Sequence, residues 1–355
     1  GDKYLESDPE ERREALIAYA LPKNVEGLQR DLAKYRIDYD VWFRESSLYK
    51  DGTVDKIVKI LTDKSLTYEK DGALWYKNTQ VLAERLRREG KTEEQIEALE
   101  LKDDVLIRQN GNPTYFAGDI AYHYNKFALR GFDRVINVWG ADHHGHVARL
   151  KGAMDAVGCD GDRLDIVLMQ LVELMRDGEP VRMSKRTGKA ITLTDLLEEV
   201  PLDAARFFFN LREPSTHLIF DLGLAVQQDS QNPVYYVQYA HARICSILKN
   251  LAAEGVEFKP EYAGRAYSAP EELSLIGGLA RFPGEIIDAA NAYDPARLTK
   301  YAIDVATLFH KFYNSCRVKG EEETVLQSRL ALCVSVKTVI RNVLTMLKIT
   351  VPEYM

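Results

Sequence analysis

The chain has few cysteines, and the four present (Cys159, Cys245, Cys316 and Cys333) are scattered, with no CxxC pair among them. That pattern argues against a disulfide framework or a zinc site and points to reduced thiols in a cytosol, so a cytoplasmic location is expected. No apolar run approaches the ~20 residues that a membrane span needs. A signal-peptide succession of basic, apolar and small residues is also missing, so no membrane partner is expected. There is no internal repeat and no low-complexity segment. Positive charge is in deficit: the net charge of −7 argues against non-specific nucleic-acid binding by the whole surface. The first residue is Gly1 rather than methionine, and the chain opens directly into a charged helical pattern. A fragment lacking its N-terminal part is the expectation.

What is present fits two globular domains on length alone, with 355 residues, 46% hydrophobic and 28% charged. Charge is uneven along the chain. Residues 295–355 hold nine Lys/Arg against five Asp/Glu, a local +4 that leaves −11 for the rest. Different tasks for the two ends follow. Asp8-Pro9-Glu10-Glu11 reads as a helix start, and apolar positions then recur at helical spacing to Leu32 and Tyr35. Pro22 should kink or break that helix. Residues 37–43 alternate like a strand. Residues 66–76 read as a hairpin turning at Asp71-Gly72. Residues 81–100 read as a charged helical surface insertion.

A strand–helix–strand pattern follows. Residues 134–139 form a short apolar run without strict alternation, as in a buried parallel sheet. The run ends at Gly140-Ala141-Asp142 and an amphipathic helix over 145–157 leads to a second strand at 166–169. Such a crossover makes the strands parallel and places ligands at their carboxyl ends. Gly140–His143 and a basic segment at 182–188 both lie on that side. From Pro233 strands disappear, and helical periodicity marks 234–252, 271–291, 296–317 and 325–348. The expectation is an α/β domain over 1–225 followed by a helical bundle over 226–355.

Three blocks carry chemistry: Tyr115-Phe-Ala-Gly-Asp119, Trp139-Gly-Ala-Asp-His-His-Gly-His146 and Arg182-Met183-Ser184-Lys185-Arg186. A polar, doubly basic segment beside a glycine can neutralise phosphate charge as a bond to phosphorus forms or breaks. A carboxylate binds a guanidinium bidentately, which suits Asp119 to reading an arginine side chain. Capping of the following helix by Asp119 is the structural alternative. Gly140, at a strand end, allows a nucleotide to approach the backbone.

Together with residues 232–243, 297–318 and the ending Val-Pro-Glu-Tyr-Met355, these blocks resemble the later part of the bacterial-type arginyl-tRNA synthetase family. The resemblance implies part of a class I Rossmann-type nucleotide fold, then an all-α anticodon-binding domain of the DALR type. It implies ligation of arginine to tRNA(Arg) through an arginyl-adenylate, with ATP used as its magnesium complex and no tightly bound metal. L-arginine, ATP and tRNA(Arg) are the implied partners, with no obligate protein partner. Residues 182–186 are similar to the KMSKS signature: Lys185 matches its phosphate-contacting lysine, Arg182 replaces the first lysine and Arg186 the final serine. Met183 would anchor that segment by packing, and Ser184 would hydrogen-bond phosphate or backbone. Tyr115, Asp119 and His143 would hold arginine; Gly140, Asp142, His143 and Lys185 would hold ATP.

Two readings of the histidine cluster are set aside. His143–His146 fits the HxGH signature by letters, but that motif belongs near the first strand of the nucleotide fold, after a Pro/Asn-rich loop. No acceptable HxGH segment remains, so the chain alone is expected to be inactive, and a non-catalytic tRNA-binding fragment is the alternative. Asp142-His143-His144 also resembles the triplet of DHH phosphoesterases, whose further aspartates are not found. In the helical half, residues 295–319 carry five Lys/Arg and one acid. Basic residues hold phosphates and exposed aromatics stack on unpaired bases. Phe309 and Phe312 read as core of an amphipathic helix; Tyr313, Arg317, Lys311 and Tyr239 read as the RNA-facing set.

Overall fold

The computed structural model describes residues 2–181, 191–262 and 264–355. The chain forms two compact units, one from Gly1–Tyr39 with Val172–Met355 and one from Asp40–Leu171.

Helix α1 (Pro9–Lys34) starts as its sequence dictates: the Asp8 carboxylate accepts from the Glu10 amide at 2.8 Å, and Pro9 takes the first helical position. The expected interruption at Pro22 does not occur; the helix runs through it. No residue of α1 is buried, so the Ala18 carbonyl that loses its donor can take water instead. Residues 37–43 form no strand. Alternation is not sufficient for a strand where no neighbour offers a ladder.

The Asp40–Leu171 unit begins with α2 (Ser46–Lys50) and α3 (Thr53–Asp63). The hairpin forms where expected, between β1 (Thr67–Lys70) and β2 (Ala73–Tyr76), with Asp71 and Gly72 at φ 53° and 72°. Both turn residues thus take the left-handed values that a tight two-residue turn requires. Strand β3 (Asp104–Ile107) pairs antiparallel with β2. Between them, the supposed surface insertion is instead α4 (Asn78–Arg88) and α5 (Glu93–Glu97), with Val81, Leu82 and Arg85 buried. Arg85 explains the difference: it donates to Asp155 at 2.8 Å and also bonds Asp162, so α4 is tied inward by its charge.

Helix α6 (Tyr115–Tyr124) precedes β4 (Val135–Gly140), α7 (His144–Val157) and β5 (Leu164–Met169). Strands β4 and β5 are parallel, in register from Val135↔Leu164 to Gly140↔Met169, as the crossover helix predicts. One expectation fails: the sheet is not buried on both faces. Val135 and Asn137 point into the core, whereas Ile136 and Val138 are 47% and 62% exposed. Ile120, Leu150, Met154 and Leu164 belong to the core that covers the closed face.

A buried polar chain pins α6 to β4. The Lys126 ammonium donates to Asn137 Oδ1 at 3.2 Å, and Asn137 Nδ2 donates to His123 Nε2 at 2.7 Å. His123 Nδ1 then donates to the Asp119 carbonyl at 2.8 Å. Accepting at Nε2 and donating from Nδ1 fixes one neutral tautomer. Burial, with the Lys126 charge adding to it, pushes His123 down to about 4. Burial likewise lowers Lys126 to about 8.

The second unit resumes with β6 (Val172–Arg176), β7 (Glu179–Pro180), α8 (Leu193–Glu199), α9 (Leu202–Phe209), β8 (Leu218–Asp221) and α10 (Leu222–Ala225). Strand β6 lies between antiparallel β7 and parallel β8. Among the described residues no strand follows, and the rest is α11 (Pro233–Ala253), α12 (Pro270–Ala280), α13 (Phe282–Ala292), α14 (Ala296–Ser315) and α15 (Glu323–Met346). The single helix expected over 271–291 is two, because Pro283 has no N–H to continue the ladder past Arg281. Phe309 and Phe312 are fully buried, as their spacing predicts.

The buried neutral His123 makes stability depend on pH with a definite sign. An unfolded histidine titrates near 6.5, so between pH 6.5 and 4 only the unfolded chain binds this proton. The contribution is complete above about pH 6.5 and is lost as pH falls, by about 3 kcal/mol in total. Urea unfolding at pH 7 and pH 5 should therefore show a smaller acid loss for His123→Gln than for the wild type. Equal losses would contradict this assignment.

Candidate functional site

The first candidate site is built where β4 ends and α6 begins. Thr114 caps α6, its Oγ1 accepting from the Ala117 amide at 3.3 Å while its hydroxyl donates to the Val105 carbonyl at 2.7 Å. Asp119 is therefore no cap; it lies in the second turn. Tyr115 stands four residues earlier, on the same face by helical spacing, and is 81% exposed. The Asp119 side chain is half-open and, among the described residues, receives one hydrogen bond, from His146 Nε2 to Oδ2 at 3.0 Å. No described residue donates a hydrogen bond to its Oδ1.

Small residues permit the close packing here. A side chain at Gly118 would come within 2.6 Å of the Tyr49 hydroxyl oxygen and 3.0 Å of Glu45 Oε1. That hydroxyl donates to Glu45 at 3.2 Å. Burial and the negative Glu45 raise the phenol of Tyr49 above its ordinary value, so it stays a neutral donor. A side chain at Gly140 would collide with the Asp142 carboxylate. Behind the site, Arg149 bonds Asp104 at 2.5 Å and lies 4.9 Å from the centre of the Phe116 ring.

The structure brings Gly140, Asp142 and His143 together at the end of β4, with His143 Nε2 3.6 Å from Asp142. His143 pairs with Asp142, not with Asp119. His144 turns back on its own carbonyl neighbour, Ala141, at 3.3 Å. Among the described residues no three His, Cys, Asp or Glu side chains converge as metal ligands. His146 and Tyr49 were missed as neighbours of Asp119 by sequence reasoning. Only His146 had a signal, as the last letter of the rejected HxGH match. Arg182, Met183, Ser184, Lys185 and Arg186 lie outside the described residues.

A second candidate site lies on the helical bundle, where α11 meets α14. Tyr235 and Tyr239, one turn apart, hold parallel rings 6.5 Å apart, and Tyr239 faces His310 at 6.1 Å. The Arg243 guanidinium lies 4.5 Å from the Tyr313 ring centre and 6.0 Å from that of Tyr239. Burial, then the Arg243 charge, lowers His310, which keeps the patch uncharged beneath its one guanidinium. Tyr239 is 40% exposed. Tyr313 is half-buried and also packs against Phe309 at 5.9 Å, so it is partly core and partly surface. Lys311 and Arg317 are exposed. Tyr313, Arg317 and Lys319 line a cavity of about 370 Å³ with Ile247 and Glu254. Arg243 was missed because it lies on α11, far in sequence from the basic run.

Residues 6–221 match the family model described as tRNA synthetases class I (R), catalytic domain, and residues 237–355 match the DALR anticodon binding domain. The chain is 57% identical over its full length to an arginine–tRNA ligase of Caldanaerobacter subterraneus, and 52% identical to one of Acetivibrio thermocellus. It spans about 60% of the length of these curated relatives. Among solved structures, a Campylobacter jejuni protein described as an arginyl-tRNA synthetase superposes with a TM-score of 0.83 at 31% identity, over 98% of this chain and 71% of that one. A Thermus thermophilus arginyl-tRNA synthetase shares the fold, with a TM-score of 0.79 at 22% identity over 99% of this chain and 68% of its own. With a strand-end carboxylate site, a helical aromatic surface and these matches across nearly all of its length, the chain belongs to the class I arginyl-tRNA synthetase family.

Proposed function

We propose that the full-length protein carrying this chain ligates arginine to tRNA(Arg) through an arginyl-adenylate. The observation that supports this best is the Asp119 carboxylate on α6: half-exposed, bonded on one oxygen by His146, which packs against Trp139 near the end of β4, and with no described partner on the other. A guanidinium fits there as a planar, bidentate partner. Tyr115 would flank the arginine side chain and His143 would lie near its reacting end. Gly140, Asp142 and His143 would line the adenylate, with ATP entering as its magnesium complex. Arginine's carboxylate oxygen attacks the α-phosphorus, the bond to the bridging oxygen breaks, and pyrophosphate leaves with its electron pair. A terminal ribose hydroxyl of tRNA then attacks the acyl carbon, losing its proton as AMP departs. Lys185, with Arg182 and Arg186, would neutralise charge on the phosphates during the first step. Met183 and Ser184 would hold that segment in place.

In the helical half, Tyr239, Tyr313, Lys311 and Arg317 would contact tRNA, joined by Arg243. The division of labour falls near residue 225, with chemistry before it and RNA binding after it. A cytoplasmic location accords with this function; among the described residues no helix is long and apolar enough to cross a membrane.

Two experiments test these assignments in the full-length protein. Asp119→Asn removes the charge from the guanidinium partner and should cost about 2–5 kcal/mol in kcat/KM for arginine, with little change in the KM for ATP. Unchanged arginine kinetics would remove Asp119 from the site. For the RNA surface, Tyr313→Ala and Tyr239→Ala should each weaken tRNA(Arg) binding by about 1–3 kcal/mol, the range for one lost base stack. Lys311→Ala should cost less and flatten the salt dependence. Filter binding at two salt concentrations decides; wild-type behaviour of all three variants would place the RNA footprint elsewhere.

A further inference from the structure

The geometry points to His146 as a positioning residue that sets how Asp119 presents itself to the substrate guanidinium. This inference rests on the reading of Asp119 as the guanidinium partner. His146 lies in the first turn of α7, and its Nε2 stands 3.0 Å from Asp119 Oδ2. Two aromatic walls hold its ring: Phe116, edge-on at 5.5 Å and 72°, and Trp139 at 5.6 Å and 39°. The side chain is 20% exposed, against 46% for Asp119. The donor is therefore held by packing while the carboxylate it grips stands at the open face.

The consequence follows from lone-pair geometry. An ionised carboxylate accepts about four hydrogen bonds. His146 occupies one position on Oδ2. Left over are Oδ1 and the remaining lone pair of Oδ2, the two acceptors that a guanidinium fork requires. Without His146 the carboxylate is free to rotate about its last side-chain bond, and binding must then order it. The main chain at the same residue is already fixed, because His123 Nδ1 donates to the Asp119 carbonyl at 2.8 Å. Asp119 is thus held at its backbone by His123 of its own helix, itself bonded by Asn137 of β4, and at its side chain from α7. His146 touches no reacting atom in this account; it acts through Asp119.

Ordering one side chain in advance is worth about 0.5–1.5 kcal/mol, or roughly 2- to 12-fold in affinity. In the full-length protein, His146→Ala should raise the KM for arginine by that factor while kcat and the KM for ATP stay within about twofold. His146→Gln, whose amide N–H reaches the same oxygen, should recover most of the loss. Thermal melting of both variants checks that α7 remains packed. Asp119→Asn, measured alongside, separates the two levels of the argument. If Asp119→Asn loses arginine and His146→Ala does not, the positioning role is overturned and the reading of Asp119 stands. If Asp119→Asn leaves arginine untouched, the underlying reading fails and this inference with it. If His146→Ala lowers kcat, raises both KM values and is not rescued by glutamine, His146 is a packing residue only, and the inference is overturned.

Discussion

A recognition carboxylate has to be open to its ligand and yet not wander. In the proposed role Asp119 would meet both demands, since one attachment is to its backbone and the other to its side chain. Its carbonyl accepts from a buried, neutral His123, and its Oδ2 accepts from His146. The first attachment continues through Asn137 to Lys126 and so reaches into β4. A rigid helix with a fixed side chain reduces what a ligand must spend on ordering the site. Much of the surrounding structure serves that arrangement. Thr114 caps the helix so that Asp119 is free of that task, and Gly118 lets Tyr49 and Glu45 approach.

The helical surface, in its proposed RNA-binding role, would meet a different demand. Aromatic rings that read unpaired bases must be exposed enough to stack and anchored enough not to collapse inward. Tyr239 is held in line by Tyr235 on one side and His310 on the other. Arg243 lies across Tyr239 and Tyr313 and puts a positive charge on the patch without a long flexible reach. Tyr313 sits at the border, its ring shared between Phe309 and the open face.

What the sequence made legible was local. The hairpin at Asp71-Gly72, the N-cap at Asp8, the crossover joining β4 to β5 and the buried Phe309 and Phe312 all depend on residues close together in the chain. Failures arose where distant partners decide. Residues 37–43 alternate but pair with no strand among the described residues, and α4 turns inward because Arg85 meets acids some seventy residues away. Pro22 is tolerated since α1 buries nothing, a fact that its own composition does not reveal. The shared helix face of Tyr115 and Asp119 was legible from their spacing, whereas the reading of Asp119 as a guanidinium partner came with the family resemblance. The residue that bonds Asp119, His146, lies 27 residues further on, inside a motif whose letters suggested another role.

The central claim is that Asp119, oriented by His146, receives a guanidinium on the oxygens that the histidine leaves free. A crystal structure of the full-length protein with L-arginine tests it most directly. The account predicts guanidinium nitrogens at about 2.7–2.9 Å from both Asp119 oxygens, with the contact from His146 Nε2 to Oδ2 retained. A guanidinium seated on Glu45 or elsewhere, with Asp119 bonded to His146 alone, would contradict it.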